Sequence, residues 1–187
     1  MSTYDDAVID GYGVRLRPLN DGDVALIALA CSDEVTQKWL PLPQPYTEDS
    51  ARVFALQIAP GELASGTGIE RAIEVDGQFM GVIGLKRTDW IAAKTEAGYW
   101  LGPWARGSGI AARALCAITD WALDTQDMQR VEVMVAPGNV ASLGTARRAI
   151  FVEEGTMRRA GYVHKGPVDL VILSRLASDT RPSPAWL

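Results

Sequence analysis

The residues with the clearest chemical meaning form a glycine-rich turn, Arg-Gly-Ser-Gly-Ile-Ala at 106–111, between a predicted strand and an apolar helix. Gly107, Ser108 and Gly109 let the backbone approach a ligand closely and allow several N–H groups to point the same way. These N–H groups lie at a helix N-terminus, where they lack intrahelical partners and carry partial positive charge. Arg106 adds a formal charge beside them. The turn therefore predicts an anion site, and a diphosphate fits it best.

Two interpretations other than an anion site also fit a glycine-rich turn. A plain strand-to-helix connection would use the same glycines for tightness. Residues 107–112 also satisfy the relaxed Rossmann pattern, but residues 102–106 separate them from the strand, which a Rossmann turn would follow at once. Antiparallel hairpin signals precede the turn, and too little chain follows for a doubly wound sheet. A Walker loop is excluded because no Gly-Lys-Ser/Thr follows.

The elements that must position this turn alternate between strand and helix along the chain. Apolar alternation and turn residues predict seven strands, at 13–18, 70–75, 79–86, 95–101, 130–136, 151–157 and 170–176. Helical spacing and N-caps predict four helices, at about 21–29, 47–59, 109–123 and 139–149. Residues 39–45 are proline-rich and predicted to be extended, and 61–68 are predicted to be a loop. This order indicates one α/β domain, residues 1–177, with a mixed sheet and a loosely ordered tail at 178–187.

Three segments together resemble a known family. The pattern Arg106-x-x-Gly109-x-Ala111 resembles the pyrophosphate signature of the GNAT superfamily of acyl-CoA N-acyltransferases. Residues 96–102 resemble the strand before that loop, and residues 139–142 resemble the start of the helix after the next strand. Trp39-Leu-Pro and Asp169 resemble the branch of Rim-type enzymes that acetylate the N-termini of ribosomal proteins. The resemblance covers residues 13–176.

The resemblance implies a GNAT-type fold, a mostly antiparallel central sheet with helices on both faces, whose fourth and fifth strands, 95–101 and 130–136, splay apart. Acetyl-CoA is then the co-substrate, no metal is needed, and the pantetheine arm lies between the splayed strands. One backbone N–H near Trp100 or Leu101 faces the thioester carbonyl, and Asn139 bonds the pantetheine amide or caps its helix. The implied cofactor-binding residues are Tyr99, Trp100, Leu101, Arg106, Gly107, Ser108, Gly109, Ile110, Ala111 and Asn139.

The resemblance also suggests which residues transfer protons during the reaction. Ser142 is expected to protonate the departing thiolate, with an ordinary first-turn serine as the alternative. Rim-type relatives place a glutamate base after the sixth strand, but here that stretch carries Gly161. Glu132 and Glu96, on the fifth and fourth strands, are the substitute candidates, although strand glutamates often face solvent.

Weaker candidates for the base are Glu153, Glu154 and His164. Trp39 and Trp104 are expected to line the acceptor cleft. A second departure from the family is Ile150, which stands where the family often has a glycine that ends the helix. A β-branched residue adopts a left-handed conformation with difficulty, so a different helix end is expected.

Composition excludes some classes of substrate and cofactor. The net charge of −5 argues against nucleic acid as a substrate and suits a cationic amine. One histidine and two isolated cysteines exclude a multi-histidine metal site and fit a reducing cytoplasm. The sequence shows no secretion signal and no membrane span, and a homodimer is left open.

Deprotonation cost favours one class of acceptor. At pH 7 an α-amino group loses about 1.4 kcal/mol by deprotonating, whereas a lysine loses roughly 4.6 kcal/mol. With the usual base missing, a protein N-terminus or another low-pKa amine is expected, attacking directly in a ternary complex. The alternatives are a non-catalytic acyl-CoA sensor and an acyltransferase acting on a small molecule such as an antibiotic or polyamine.

Overall fold

The computed structural model describes residues 2–181, which form an eight-stranded sheet with the order β1-β2-β3-β4-β5-β6-β8-β7. The strands are β1 (Ile9–Gly11), β2 (Val14–Arg17), β3 (Ile69–Val75), β4 (Gln78–Asp89), β5 (Lys94–Leu101), β6 (Arg130–Val135), β7 (Val152–Val163) and β8 (Gly166–Leu176). Every neighbouring pair is antiparallel except β5 and β6, which are parallel. The predicted mixed, mostly antiparallel sheet is thus confirmed.

Helices cover both faces of the sheet. They are α1 (Val24–Cys31), α2 (Glu34–Trp39), α3 (Glu48–Val53), α4 (Ala59–Ser65), α5 (Ile110–Thr125) and α6 (Val140–Arg148). On one face, here called the α5 face, α5 and α6 pack on Ile83, Ala97 and Val133. On the other, the α1 face, α1 and α3 pack on Ala72 and Val82.

The strongest local signal in the sequence is confirmed at the turn between β3 and β4. Asp76 and Gly77 both have positive φ, at 51° and 75°. Two successive positive φ values match the right-handed twist of a two-residue hairpin, and Asp-Gly adopts them readily. The hairpin fixes the register of β4, and through it the register of β5.

Three element predictions were wrong or incomplete. Strand β1 and helix α2 were missed because three and six residues are too short to show a period. The predicted loop at 61–68 is helical up to Ser65, since a π turn at Phe54–Ile58 places Pro60 in the first turn of α4, where no N–H is needed. Gly66, with φ of 72°, then ends the helix.

Two further differences concern the second half of the chain. Strands β7 and β8 extend to residues 163 and 166, beyond the predicted 157 and 170, because irregular register between Met157 and Gly161 hides the alternation. Ile150 does adopt the left-handed conformation that its side chain disfavours, with φ of 57°. The expected different helix end was therefore wrong. The N–H groups of Ile150 and Phe151 donate to the carbonyls of Arg147 and Ala146 and hold that conformation.

At the C-terminal end, Arg181 pairs with Asp124 of α5 at 2.5 Å, and Asp179 accepts a hydrogen bond from the N–H of Leu176. Residues 182–187 of the predicted tail lie outside the described residues. Within residues 2–181, no helix combines the length and apolarity that crossing a membrane requires.

Candidate active site

The central feature of the site is the gap between β5 and β6. Their parallel pairing ends at Glu96 opposite Glu132, after which β5 pairs only with β4, and β6 pairs only with β8. The splay predicted for these two strands is therefore present. It opens a cleft of about 440 Å³. The cleft is lined by Val35, Thr36, Trp39, Leu40, Tyr99, Trp100, Leu101, Arg106, Gly107, Gly109, Ala111, Ala112, Asn139, Val140, Ala141, Ser142, Gly144, Thr145 and Arg148.

The edge of β5 that faces the gap keeps free backbone groups. The carbonyl of Ala93 accepts from the N–H groups of Gln129 and Arg130, so odd-numbered residues of β5 direct their backbone towards β6. The N–H of Gly102 donates to Met80 of β4, so even-numbered residues face β4. By this alternation the N–H of Leu101 faces the gap, whereas that of Trp100 faces β4.

The glycine-rich turn forms one end of the cleft. Gly107 and Gly109 have positive φ, at 78° and 76°, and Gly109 is the N-cap of α5. The Ser108 hydroxyl donates to the carbonyl of Ala105 at 2.7 Å and fixes the turn. Ile110 is buried in the core, so it anchors the helix. The turn therefore presents the unpaired N–H groups of a sixteen-residue helix to the cleft, as an anion site requires.

Arg106, predicted to lie beside the diphosphate, is held by partners within the protein. Its Nη2 lies 2.5 Å from Asp33 Oδ1, 2.9 Å from the Thr36 hydroxyl and 3.4 Å from the carbonyl of Leu101. Its charge is therefore balanced by Asp33, which also caps α2 by accepting from the N–H groups of Val35 and Thr36. Burial alone would raise the pKa of Asp33, but the hydrogen bonds from Arg106 and Thr36 hold that pKa below its usual value.

Ser142 and Tyr99 meet across the gap. The Tyr99 hydroxyl donates to the carbonyl of Ser142 at 3.1 Å and lies 3.0 Å from the Ser142 hydroxyl. Burial raises the pKa of Tyr99 to about 12, so this hydroxyl stays protonated. Asn139 caps α6 by accepting from the N–H of Ser142 at 3.2 Å. The predicted cap and the predicted proton donor are thus held in one small cluster.

The structure does not bring the two candidate bases into the cleft. Glu96 is buried, 6% exposed, and its carboxylate pairs with Lys86 at 3.1 Å and with Arg87 at 2.7 Å. Glu132 pairs with Arg130 at 2.7 Å. Both lie where β5 and β6 are still paired, and neither belongs to the cleft lining. The Glu96 carboxylate is held by two cations of β4 and the Glu132 carboxylate by Arg130 of its own strand, so neither faces the cleft as a base.

The two tryptophans expected to line the acceptor cleft, Trp39 and Trp104, lie in different places. Trp39 lines the cleft and its ring packs against Gly138, where even a β-carbon would lie 3.1 Å from the ring. Trp104 lies outside the lining, and its indole Nε1 donates to the carbonyl of Phe79 at 3.0 Å. It therefore anchors the turn from the sheet.

Sequence reasoning missed the contribution of α2. Val35, Thr36 and Asp33 form one wall of the cleft or hold it in place, and the tip of the β7–β8 hairpin reaches the same helix through His164, 3.2 Å from Gln37. The available signal was Asp33, an N-cap residue followed by an acidic first turn. Within residues 2–181, no group of three or more His, Cys, Asp or Glu side chains could hold a metal ion.

Comparison with known proteins identifies the class that this fold and cleft define. The family model described as acetyltransferase (GNAT) domain matches residues 14–152. The chain therefore belongs to the GNAT acetyltransferase family, and it is an acetyl-CoA-dependent N-acetyltransferase.

Two relatives are named as ribosomal acetyltransferases. The chain is 32% identical over 164 residues to the putative ribosomal N-acetyltransferase YdaF of Bacillus subtilis, covering 87% of this chain and 90% of the relative. It is 26% identical over 101 residues to the ribosomal-protein-serine acetyltransferase of Escherichia coli, covering 54% and 56% of the two chains. The structure of Mycobacterium smegmatis RimJ in complex with CoA-disulfide superposes with a TM-score of 0.89 at 23% identity, over 99% and 94% of the chains. The resemblance to the Rim-type branch is confirmed.

Proposed function

We propose that this enzyme acetylates the α-amino group of a protein N-terminus by direct attack of the amine on acetyl-CoA. One observation supports this choice of acceptor more than any other. Among the described residues, those that line the cleft include no aspartate, glutamate or histidine. Without a base in contact with the amine, an α-amine at about pKa 8 loses its proton at much lower cost than a lysine at about 10.4. The relatives named for ribosomal proteins favour the same class of acceptor.

In this proposal the cofactor enters from the α5 face. The N–H groups after Gly107 hold the diphosphate at the start of α5, and the pantetheine arm pairs with the free edge of β5. The N–H of Leu101 then donates to the thioester carbonyl, where negative charge develops. One such donor contributes about 2.7–4 kcal/mol to the transition state.

Departure of the thiolate requires a proton, and Ser142 supplies it. As its hydroxyl gives up the proton to sulfur, the Tyr99 hydroxyl holds the serine in place by donating to the Ser142 carbonyl at 3.1 Å and lying 3.0 Å from the Ser142 hydroxyl. Because burial keeps the pKa of Tyr99 high, this support persists throughout the working pH range. The acceptor reaches the carbonyl from the α1 face, beside Trp39, because the loop and α6 occupy the α5 face.

The acceptor class is tested with two peptides of the same sequence. One has a free N-terminus and acetylated lysines, and the other has an acetylated N-terminus and free lysines. Thiol release from acetyl-CoA is expected with the first and at least 10-fold less with the second. A preference for the lysine peptide would reject the proposal. Turnover with polyamines or aminoglycosides alone would favour the small-molecule alternative, and CoA binding with no turnover on any acceptor would favour a sensor.

A further inference from the structure

Glu70 occupies an unusual position on the α1 face of the sheet. It lies opposite Gly84 of β4, and Gly84 in turn lies opposite Gly98 of β5. These three residues form one row across three strands. Gly84 and Gly98 have no side chain, so no β-carbon covers the backbone of β4 and β5 in this row.

The Glu70 carboxyl group fills the space over Gly84. A β-carbon at Gly84 would lie 2.4 Å from both Cδ and Oε2 of Glu70, so the side chain reaches along the sheet towards β5. Lys86 reaches over Gly98 of the next strand in the same way, because a β-carbon at Gly98 would lie 3.3 Å from Nζ of Lys86. That ammonium group also pairs with Glu96 at 3.1 Å. The Lys86 ammonium group therefore borders Gly98, and the Glu70 carboxyl group lies over the neighbouring Gly84.

Gly98 lies where the sheet begins to open. Pairing between β5 and β6 ends at Glu96, two residues earlier on the same face. Trp100, two residues later on that face, lines the cleft. In the proposed approach from the α1 face, an amine beside Trp100 lies two residues along β5 from Gly98, and the Glu70 carboxyl lies over Gly84, one strand further.

The electrostatic surroundings suit proton exchange with such an amine. Burial, together with the nearby charge of Glu62 on α4, raises the pKa of Glu70 to about 8, while Lys86 and Arg71 act in the opposite direction. An α-amine has a pKa of about 8 as well. Proton transfer between groups of matched pKa costs little, and this makes a good general base near neutral pH.

We propose that Glu70 accepts the proton of the acceptor ammonium group through water over Gly98. This inference rests on the proposed function and supplies the base that the cleft itself lacks. An N–H bond of the ammonium breaks and the proton reaches a carboxylate oxygen of Glu70, leaving a neutral amine and a neutral carboxyl group. The amine then forms the amide bond as the carbon–sulfur bond breaks. The thiolate takes the proton of the Ser142 hydroxyl, and the second proton that nitrogen loses passes through water to the serine oxygen and restores that hydroxyl.

The test compares two nucleophiles in the same peptide. One peptide carries its ordinary α-amine, and the other carries an aminooxy group that is neutral across the pH range used and needs no base. For Glu70→Gln, we expect kcat/KM for the α-amine peptide to fall about 100-fold or more. For the aminooxy peptide we expect a change of less than about 3-fold. Equal losses with both peptides, or no loss with either, would overturn the proposal.

Two other variants keep the result interpretable. Gly84→Ala retains the carboxylate but displaces it, because the added β-carbon overlaps its position, and it should show the same selective loss. Glu74→Gln removes a carboxylate from the same face of the same strand, where it pairs with Arg17, and should leave the ratio between the two peptides unchanged. If Glu70→Gln does not fold, the ratio for Gly84→Ala decides. A wild-type enzyme inactive on both peptides would instead reject the acceptor class.

Discussion

At the scale of single residues, the contact between Tyr99 and Ser142 makes a prediction about the leaving group. Ser142→Ala removes the proposed proton donor, so kcat should fall by about 100-fold or more while the KM for acetyl-CoA changes little. Tyr99→Phe keeps the ring and removes only the hydroxyl that supports Ser142. Loss of one such hydrogen bond costs about 1 kcal/mol, so kcat should fall about 5-fold. Steady-state kinetics with the α-amine peptide measures both, and full activity of Ser142→Ala would remove its assigned role.

Glu70 makes a prediction about stability whose sign follows from its pKa. The pKa in the folded protein, about 8, lies above the ordinary value of 4.5 that applies to the unfolded chain. The folded state therefore binds the proton more tightly. The contribution of the carboxyl group to stability is complete below about pH 4.5 and is lost as the pH rises to about 8.

A glutamine at position 70 does not titrate, so Glu70→Gln should be more stable than the wild type at pH 8. The advantage in Tm should shrink as the pH falls to 5. Thermal unfolding at both pH values measures it. A difference in Tm that is the same at pH 5 and pH 8 would show that Glu70 has no raised pKa, while Glu74→Gln on the same strand provides the reference.

The sequence predicted the types of these residues better than their partners. The turn at 106–111, Ser142 and Asn139 could be placed from local pattern, because a helix start and its cap are local features. The pairing of Arg106 with Asp33 joins residues 73 positions apart, and the ion pairs of Glu96 depend on the register between β4 and β5, which becomes irregular after Lys86. Such contacts depend on tertiary register, which a single sequence does not show.

At the scale of elements, α2 is joined to the glycine-rich turn at 106–111 through the ion pair between Asp33 and Arg106. Asp33 both caps α2 and holds Arg106, and Trp39 at the end of the same helix lines the cleft. Asp33→Ala should therefore loosen the Trp39 wall and raise the KM for the acceptor about 5-fold, since loss of an Asp cap costs about 1 kcal/mol. Binding of CoA should not weaken, because Arg106 is then released near the diphosphate.

Asp33→Asn is the matched variant for this prediction, because asparagine retains the cap and removes only the charge. It should lie between the wild type and Asp33→Ala in acceptor KM. Kinetics for the acceptor and calorimetry with CoA separate the two effects. A loss of CoA affinity with an unchanged acceptor KM would contradict the coupling.

Long or sharply bounded elements could be predicted, and short ones could not. Helix α5 shows its period over sixteen residues. The β3–β4 hairpin is marked by a two-residue turn signal. Helix α2 and strand β1 have six and three residues, which tertiary contacts stabilise rather than local preference. Because α2 forms a wall of the cleft, the part of the site it contributes was missed together with the helix, with the exception of Trp39.

At the scale of the whole molecule, the proposed mechanism uses one break in strand pairing as separate entrances for the two substrates. The sheet is continuous from β1 to β7 except beyond Glu96 and Glu132, where the gap connects the α5 face with the α1 face. Donor and acceptor can therefore meet without sharing a path. This arrangement favours a ternary complex over a covalent acetyl-enzyme, since both Cys31 and Cys116 are buried away from the cleft lining.

Binding of CoA to this gap should stabilise the whole fold by mass action. At a CoA concentration 100 times Kd, the free energy of unfolding rises by about 2.7 kcal/mol, which for a chain of this size raises Tm by about 5–10 °C. Gly107→Ala should abolish most of that shift, because its φ of 78° is unfavourable for alanine and the turn must change to relieve the strain.

Gly77→Ala is the control, since Gly77 has φ of 75° at a turn remote from the cleft and, like Gly107, has open space around its α-carbon. Both variants should lose similar stability without CoA, because the backbone strain is similar. Only Gly107→Ala should fail to gain stability when CoA is added, as measured by thermal unfolding. Equal gains in both variants would mean that the diphosphate is held elsewhere than at the start of α5, and the orientation proposed for both substrates would then be wrong.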